Sequence, residues 1–266
     1  MDKLLKYLGP SLEFSTLLQL SLPLGIYLGI QTGAGWAWWA LAFFMYGIVY
    51  AMIGNNIAMH RYFSHRHFEV TKPIEWFFVW CGCMIGLGSP VSYAITHTVH
   101  HNSKYTDTPL DPHGPARGKR SIIVYFQRIV DPKDTPFANK RIVELSRKWR
   151  WLHRFYVPFV LANAAILWLI DYKIFLFVWL IPASLAIWGI SFSILRQHWP
   201  MSANNCPTHR WEPLYEALHK NHHDYPGAPN TVVRKGEIDW THQFSRLFRP
   251  KYDWRGQPGY DAQVSD

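Results

Sequence analysis

Phe14-Ser-Thr-Leu-Leu-Gln-Leu-Ser-Leu-Pro-Leu-Gly-Ile-Tyr-Leu-Gly-Ile30 leads through Gln31-Thr-Gly-Ala-Gly35 into Trp36-Ala-Trp-Trp-Ala-Leu-Ala-Phe-Phe-Met-Tyr-Gly-Ile-Val-Tyr-Ala-Met-Ile-Gly-Asn-Asn-Ile-Ala-Met59 and His60. From residue 14 through residue 60 there is no Asp, Glu, Lys or Arg. A bilayer's hydrocarbon core takes about 20 helical residues, so the run is too long for one crossing and suits two joined by a turn. The glycines at 33 and 35 mark that turn. The expected spans are 14–30 and 36–59. A second apolar region, Tyr156 to Leu195, is broken only by Asp171-Tyr172-Lys173 and predicts a second hairpin, 156–171 and 174–195. A third uncharged stretch, Trp76 to Thr96, is interrupted by Gly82, Gly86, Gly88, Ser89 and Pro90. It reads as an interfacial or re-entrant segment rather than a fifth span.

The composition agrees with this division. Of 266 residues, 49% are hydrophobic, 17% aromatic (14 Trp) and only 17% charged, which excludes disordered and collagen-like classes. The mean hydropathy of −0.09 is then the average of apolar spans and polar loops. Three cysteines, Cys81, Cys83 and Cys206, form no CxxC pair and read as buried thiols of an intracellular setting. If 31–35 and 171–173 are the outer turns, they hold one of the 27 basic residues, Lys173. The positive-inside rule then places both termini and the large loops, 60–75, 97–155 and 196–266, in the cytoplasm. The net charge of +9 follows from that topology, and nucleic-acid binding is not needed to explain it. Lys3 and Lys6 ahead of the first span read as a retained signal anchor. Trp36, Trp38, Trp39, Trp151, Trp168, Trp179 and Trp199 are expected at span ends or on lipid-facing sides. The fold expected is an all-α integral membrane protein with four spans and a cytoplasmic helical cap.

Eight of the 14 histidines fall into three groups: His60-Arg-Tyr-Phe-Ser-His65, His97-Thr-Val-His100-His101 and His219-Lys-Asn-His222-His223. On a helix turning about 100° per residue, i, i+3 and i+4 share an arc of about 100°, so each HxxHH offers a three-nitrogen face. His60 and His65 are about 140° apart on such a helix, which predicts that the first group straddles the end of the second span. A lone histidine is usually a hydrogen-bonded or exposed residue. Three such groups, each at one edge of an apolar segment, point instead to metal binding. The absence of cysteine from the set disfavours Fe–S and Cys-rich zinc sites, while imidazole accepts iron, zinc, copper or nickel. For the groups to meet, the Trp76–Thr96 stretch must return to the side it left.

At this point the sequence resembles the membrane fatty-acyl desaturases of the stearoyl-CoA (delta-9) type. The residues carrying the resemblance are Gly54-Asn-Asn-Ile-Ala-Met-His-Arg-Tyr-Phe-Ser-His-Arg-His-Phe68, the block from His97 to Gly118, His219-Lys-Asn-His-His-Asp-Tyr-Pro226 and Gly236-Glu-Ile-Asp-Trp-Thr241. The resemblance implies two iron ions cycling between Fe2+ and Fe3+, O2 as co-substrate, and His60, His65, His97, His100, His101, His219, His222 and His223 as ligands. It also implies a ninth ligand after the fourth span, where His198 stands. The family's asparagine four residues earlier, which holds a water on one iron, is replaced by Ile194, so either Gln197, Asn204 or Asn205 substitutes or the second iron is more open.

Second-sphere carboxylates that orient imidazole N–H groups are expected among Asp107, Asp111, Glu216 and Asp224, each of which reads equally well as a surface charge or cap. His67, His113, His153, His209 and His242 lie outside the ligand spacing. The basic stretch from Arg117 to Arg154 reads mainly as a positive-inside loop. The implied activity is cis desaturation of an acyl-CoA, acyl-carrier-protein or glycerolipid chain in the membrane. No electron-carrier module is recognised in the sequence, so the electrons are expected from a separate ferredoxin, rubredoxin or cytochrome b5-like protein. The alternatives are a lipid or alkane hydroxylase on the same site, or a non-enzymatic metal carrier.

Overall fold

A computed structural model describes residues 10–102, 140–198, 214–216 and 218–250. Among these residues the fold is almost entirely helical; the only strands are Phe68–Glu69 and Arg249–Pro250, paired antiparallel. Two helices, Trp36–Ser64 and Tyr172–His198, are each long and apolar enough to cross a membrane. Two bent pairs bring the number to four if each pair counts as one span.

The first apolar segment is broken between Pro10–Leu20 and Leu22–Gln31, with a bend of 47° across residues 14–31. Pro23 explains the break, because its ring crowds the carbonyl four residues back and it has no N–H to give it. That carbonyl, on Gln19, accepts instead from Trp188 Nε1 at 2.9 Å. The Leu18 carbonyl accepts from the hydroxyls of Ser21 and Ser184, both at 2.7 Å. Polar side chains of the first and fourth segments thus satisfy the opened backbone, as an apolar surrounding requires.

The second segment runs five residues further than the expected end at 59. It is α-helical over Trp36–Phe44 and π-wound over Met45–Ser64. It packs closely on the helix Lys72–Met84, and a Cβ at Gly54 would lie 2.9 Å from the Cys81 carbonyl. The third segment is Lys140–Arg154 followed, after a 58° bend, by Tyr156–Ile170. The fourth begins at Tyr172, where the Asp171 carboxylate accepts from the Lys173 N–H at 2.7 Å, and ends at His198 rather than at 195.

The Trp76–Thr96 stretch lies in two helices, Lys72–Met84 and Pro90–His101. The buried turn between them uses Gly86 and Gly88 at φ of +95° and +92°, a region that side chains disfavour. Ser89 caps the second helix and Pro90 opens it. The carbonyls around the turn are taken by donors from three other segments. Tyr156 OH donates to Cys83 O and Trp179 Nε1 to Met84 O, each at 2.9 Å, and Ser15 Oγ donates to Gly86 O. The turn is thereby fixed inside the bundle, and the second helix carries its histidines to the same end as His60 and His65.

Tyr50, Met52, Phe63, Phe78, Ile85 and Ile187 fill the core, while Leu17, Leu20, Phe43, Leu169 and Ile170 face outward. Trp36, Trp151 and Trp168 are exposed as expected. Trp179 corrects the expectation: it is buried, because its indole N–H serves the Met84 carbonyl. Trp199 and Cys206 lie outside the described residues, and Cys81 and Cys83 are buried free thiols.

Candidate metal centre

His60 sits on the π-wound helix and His65 caps its end; His97, His100 and His101 lie on Pro90–His101. His198 is the last residue of the fourth helix, and His219, His222 and His223 lie on the short helix His219–Asp224. Their imidazoles gather into two groups, His60, His65, His97, His101 and His222 in one, and His100, His198, His219 and His223 in the other. Within each group the possible ligand nitrogens are all within 4.8 Å of one another.

Two local rules produce this division, and both correct simpler expectations. The first group does not present its histidines about 140° apart. A π-helix closes i→i+5 hydrogen bonds, and the His65 N–H reaches the His60 carbonyl at 3.0 Å, stacking residues five apart. The two rings lie 4.9 Å apart between centroids. Nor does either HxxHH serve as one face. On an α-helix, i+4 lies about 40° to one side of i, and i+3 about 60° to the other. His97 and His101 therefore enter the five-histidine group while His100 enters the other; His219 and His223 enter the four-histidine group while His222 crosses to the first. The second and third boxes each contribute to both groups in complementary fashion, while both histidines of the first box enter the five-histidine group.

The nitrogens fit metal ions better than they fit one another. In the larger group, Nε2 to Nε2 distances are 3.0 Å (His60–His222), 2.7 Å (His65–His97) and 3.1 Å (His101–His222). In the smaller they are 2.9 Å (His100–His223), 3.0 Å (His100–His198) and 2.9 Å (His198–His219). Bonds of about 2.1 Å at right angles put neighbouring nitrogens about 3.0 Å apart, whereas tetrahedral angles give about 3.4 Å. The spacing thus suits a five- or six-coordinate ion. Burial, and next the adjoining imidazoles, push His65, His219 and His222 well below the usual histidine range, so these rings are neutral with lone pairs available. His198 has its tautomer fixed: Nδ1 is 2.8 Å from the Ile194 carbonyl, which only a donor can approach, leaving Nε2 as a lone pair facing two more imidazole nitrogens.

Of the four candidate carboxylates, Glu216 stands behind the centre, with Oε2 2.9 Å from His60 Nδ1. Burial raises its affinity for a proton, but Arg61 and then His60 outweigh that and hold the carboxyl down at about 2. Asp224 lies at the outer end of its helix, paired with Lys220 Nζ at 2.6 Å. Asp107 and Asp111 lie outside the described residues, as do His113, His209, Asn204 and Asn205. His67 stacks on His65 at 5.1 Å but belongs to neither group, His153 Nδ1 is 2.9 Å from Ser89 Oγ, and the His242 N–H donates to Asp239 at 2.8 Å. Gln197 is engaged by its amide, which donates to the Glu216 carbonyl at 2.8 Å.

Several supporting residues were not singled out from the sequence. Arg61 is 1% exposed and bridges Glu216, the Asp239 carboxylate (3.0 Å) and the Pro229 carbonyl (2.7 Å). Asp239 in turn accepts from Thr231 N and Oγ1 at 2.9 and 2.8 Å. Glu237 accepts from the amide of Asn221, inside the third box, at 3.0 Å. The Gly236–Thr241 segment is therefore a clamp that ties the third box to the first. The signal was present in Arg61, a cation at the end of an apolar helix, and in two acids among apolar neighbours.

A cavity of about 60 Å³ opens between the two groups and is lined by Asn55, Tyr93, Ser193 and Ile194 together with histidines from both. The family model described as Fatty acid desaturase matches residues 34–237. The chain belongs to the fatty acid desaturase family. Desaturases are oxidoreductases that act on acyl chains, and this membrane-helical chain with its histidine boxes is one of them. It is 29% identical over 234 residues to the Acyl-CoA C20 Delta5-desaturase of Anemone leveillei, covering 80% of this chain and 71% of that one. It is 25% identical over 249 residues to the sn-1 stearoyl-lipid 9-desaturase of Anabaena variabilis (85% and 86%). With the chloroplastic Palmitoyl-monogalactosyldiacylglycerol delta-7 desaturase of Arabidopsis thaliana it shares 26% over 233 residues (77% and 58%).

Proposed function

We propose that this desaturase inserts a cis double bond into a membrane-borne acyl chain, using O2, two external electrons and two iron ions held by the two histidine groups. The observation that carries the reading is the convergence of nine imidazoles into two groups at one end of a bundle of apolar helices. The overall change balances as –CH2–CH2– + O2 + 2e⁻ + 2H⁺ → –CH=CH– + 2H2O. An unactivated methylene has no acidic proton, so acid–base residues alone cannot begin the reaction; the irons supply, with O2, the oxidising power to remove hydrogen atoms. His60, His65, His97, His101 and His222 would hold one ion, and His100, His198, His219 and His223 the other.

The chain's own residues orient and shield. Glu216 aims His60 through Nδ1, Arg61 keeps that carboxylate ionised, and the Ile194 carbonyl fixes the His198 tautomer. The buried walls of the cavity limit access of bulk water. We read the two bent pairs and two long helices as four spans, with Lys72–His101 entering and leaving from the cytoplasmic side and both termini there. A separate electron carrier approaches that face. Delta-9 is the position proposed, because the Anabaena relative aligns over the largest share of both chains of the three compared. The acyl carrier is proposed to be CoA or a glycerolipid, the two classes that the relatives' names contain.

Fatty-acid profiling by gas chromatography–mass spectrometry, in a host expressing the wild type or His222→Ala, tests the reading. A new monoene in the wild type alone supports it. A hydroxylated product with no monoene would turn the assignment to a hydroxylase.

A further inference from the structure

We infer that the outer face of Lys140–Arg154 is a docking surface for the headgroups of anionic phospholipid, with Arg147, Arg150 and Arg154 as the phosphate partners. It rests on reading Tyr156–Ile170 as a span and is independent of metal, substrate and turnover.

The side chains of this helix fall into two sets. Ile142, Trp149 and Leu152 are buried against the bundle. Three more are engaged by neighbouring elements: Glu144 pairs with Arg66 at 2.9 Å, Lys148 pairs with Glu75, and Arg141 donates to the Phe63 carbonyl. Arg147, Arg150 and Arg154 are exposed, and among the described residues none of them forms an ion pair. The one acid of the helix, Glu144, is already taken. Arg150 and Arg154, four apart, are neighbours on the last turn, and like charges at that spacing are destabilising until an anion lies between them.

Aromatic rings lie beside these arginines. Trp149 departs from helical geometry (φ −115°, ψ 19°), and its ring packs on Trp76 at 4.8 Å between centroids. Beyond that kink the Phe155 N–H donates to the Trp151 carbonyl at 2.9 Å, so Trp151 and Phe155 also lie on one side. Trp151 meets Trp76 at 6.1 Å, and the Arg154 guanidinium stands 5.5 Å over the Phe155 ring. Trp76, Trp151 and Phe155 are 49%, 45% and 51% exposed, so an aromatic patch crosses from one helix to the other. Phe155 directly precedes the span, and Trp76 opens the uncharged stretch 76–96, which sets the patch where both segments enter the apolar layer. The bend of 58° lays Lys140–Arg154 nearer to the membrane plane than to its normal. Amphipathic rings at that boundary beside guanidinium forks suit phospholipid headgroups. An acidic protein would match the charge but not the rings at this depth. One basic residue near an anionic surface is worth about a fivefold preference, so three should favour anionic over neutral lipid by on the order of 100-fold at low salt.

The test melts the full chain in neutral-detergent micelles with phosphatidylglycerol or phosphatidylcholine added at equal concentration. Phosphatidylglycerol should raise the wild-type midpoint and phosphatidylcholine should not, with the difference shrinking in about 0.5 M salt. The triple variant Arg147→Gln/Arg150→Gln/Arg154→Gln should melt as the wild type does without lipid and lose the response to phosphatidylglycerol. Arg147→Lys/Arg150→Lys/Arg154→Lys should keep most of it. Equal responses of the wild type to the two lipids, or a full phosphatidylglycerol response in the glutamine variant, overturn the proposal. So does inorganic phosphate giving the same shift as the lipid, which would make this a free-anion site. A glutamine variant that keeps the lipid response but loses turnover with an acidic electron carrier would assign the face to that carrier instead. A wild type that stays monodisperse without detergent would remove the span itself, a result separate from any lipid preference.

Discussion

The five-histidine and four-histidine groups share the second and third boxes but are braced differently. The larger is backed by a buried charged chain, His60 to Glu216 to Arg61 to Asp239, and Arg61 lies next to His60 on one helix. The smaller is braced at His198 by a backbone carbonyl and borders the cavity. The larger group is the more heavily braced of the two, and the cavity is lined by histidines of both. Because the second and third boxes are divided between the groups, both sites depend on the helices Pro90–His101 and His219–Asp224.

That contrast is broken most directly at the ligands. His222→Ala and His198→Ala should each abolish product, but His222→Ala should cost the larger site while His198→Ala leaves it occupied, giving about one iron per chain in elemental analysis. Equal loss of both irons from His198→Ala would show that the groups do not fill independently. The next largest effect is expected at Arg61. Removing one partner of a buried charge cluster costs about 3–5 kcal/mol, so Arg61→Met should lower stability in denaturant titrations by that order, with the third box released. A smaller loss would mean that Glu216 and Asp239 find other partners. Glu216→Gln keeps the volume and removes the charge behind His60; iron affinity or turnover should fall about 10- to 100-fold, as for other groups that orient ligands. Asp224→Asn, at the exposed pair with Lys220, should change stability by no more than about 0.5 kcal/mol and leave activity intact. Comparable effects of the two carboxylates would erase the distinction drawn between them.

A pH series sharpens the comparison from another side. Burial, and next the neighbouring imidazoles, hold His65, His97, His100, His219 and His222 well below the ordinary value of about 6.5, so the unfolded chain binds protons that the fold refuses. The metal-free protein should be indifferent to pH above about 7 and lose stability as pH falls below about 6.5 in thermal melts. Stability flat down to pH 5 would mean that the folded rings take up protons as readily as the unfolded ones.

Much of this was legible in the chain. The uncharged run 14–60 and the region 156–195 give the apolar helices, and glycine and proline mark the broken Trp76–Thr96 stretch. The identity of the box histidines followed from spacing, and His198 from resemblance. Their partition did not follow, because it depends on the π-winding of Met45–Ser64 and on two HxxHH helices meeting, neither of which periodicity encodes. The roles of Glu216 and Asp224 were indistinguishable in sequence, since what separates them is Arg61, brought close across 155 residues of chain. The break at Pro23 was not expected within the span 14–30, and the donors from Trp188 and Ser184 that make it tolerable come from the far hairpin.

The central claim is that two metal ions sit in two histidine groups at one end of the apolar helices. Elemental analysis of the purified, iron-reconstituted full chain tests it directly. The account predicts two irons per chain in the wild type and about one in His198→Ala. A wild type that binds no iron, or a single iron that survives His198→Ala and His222→Ala alike, would contradict it.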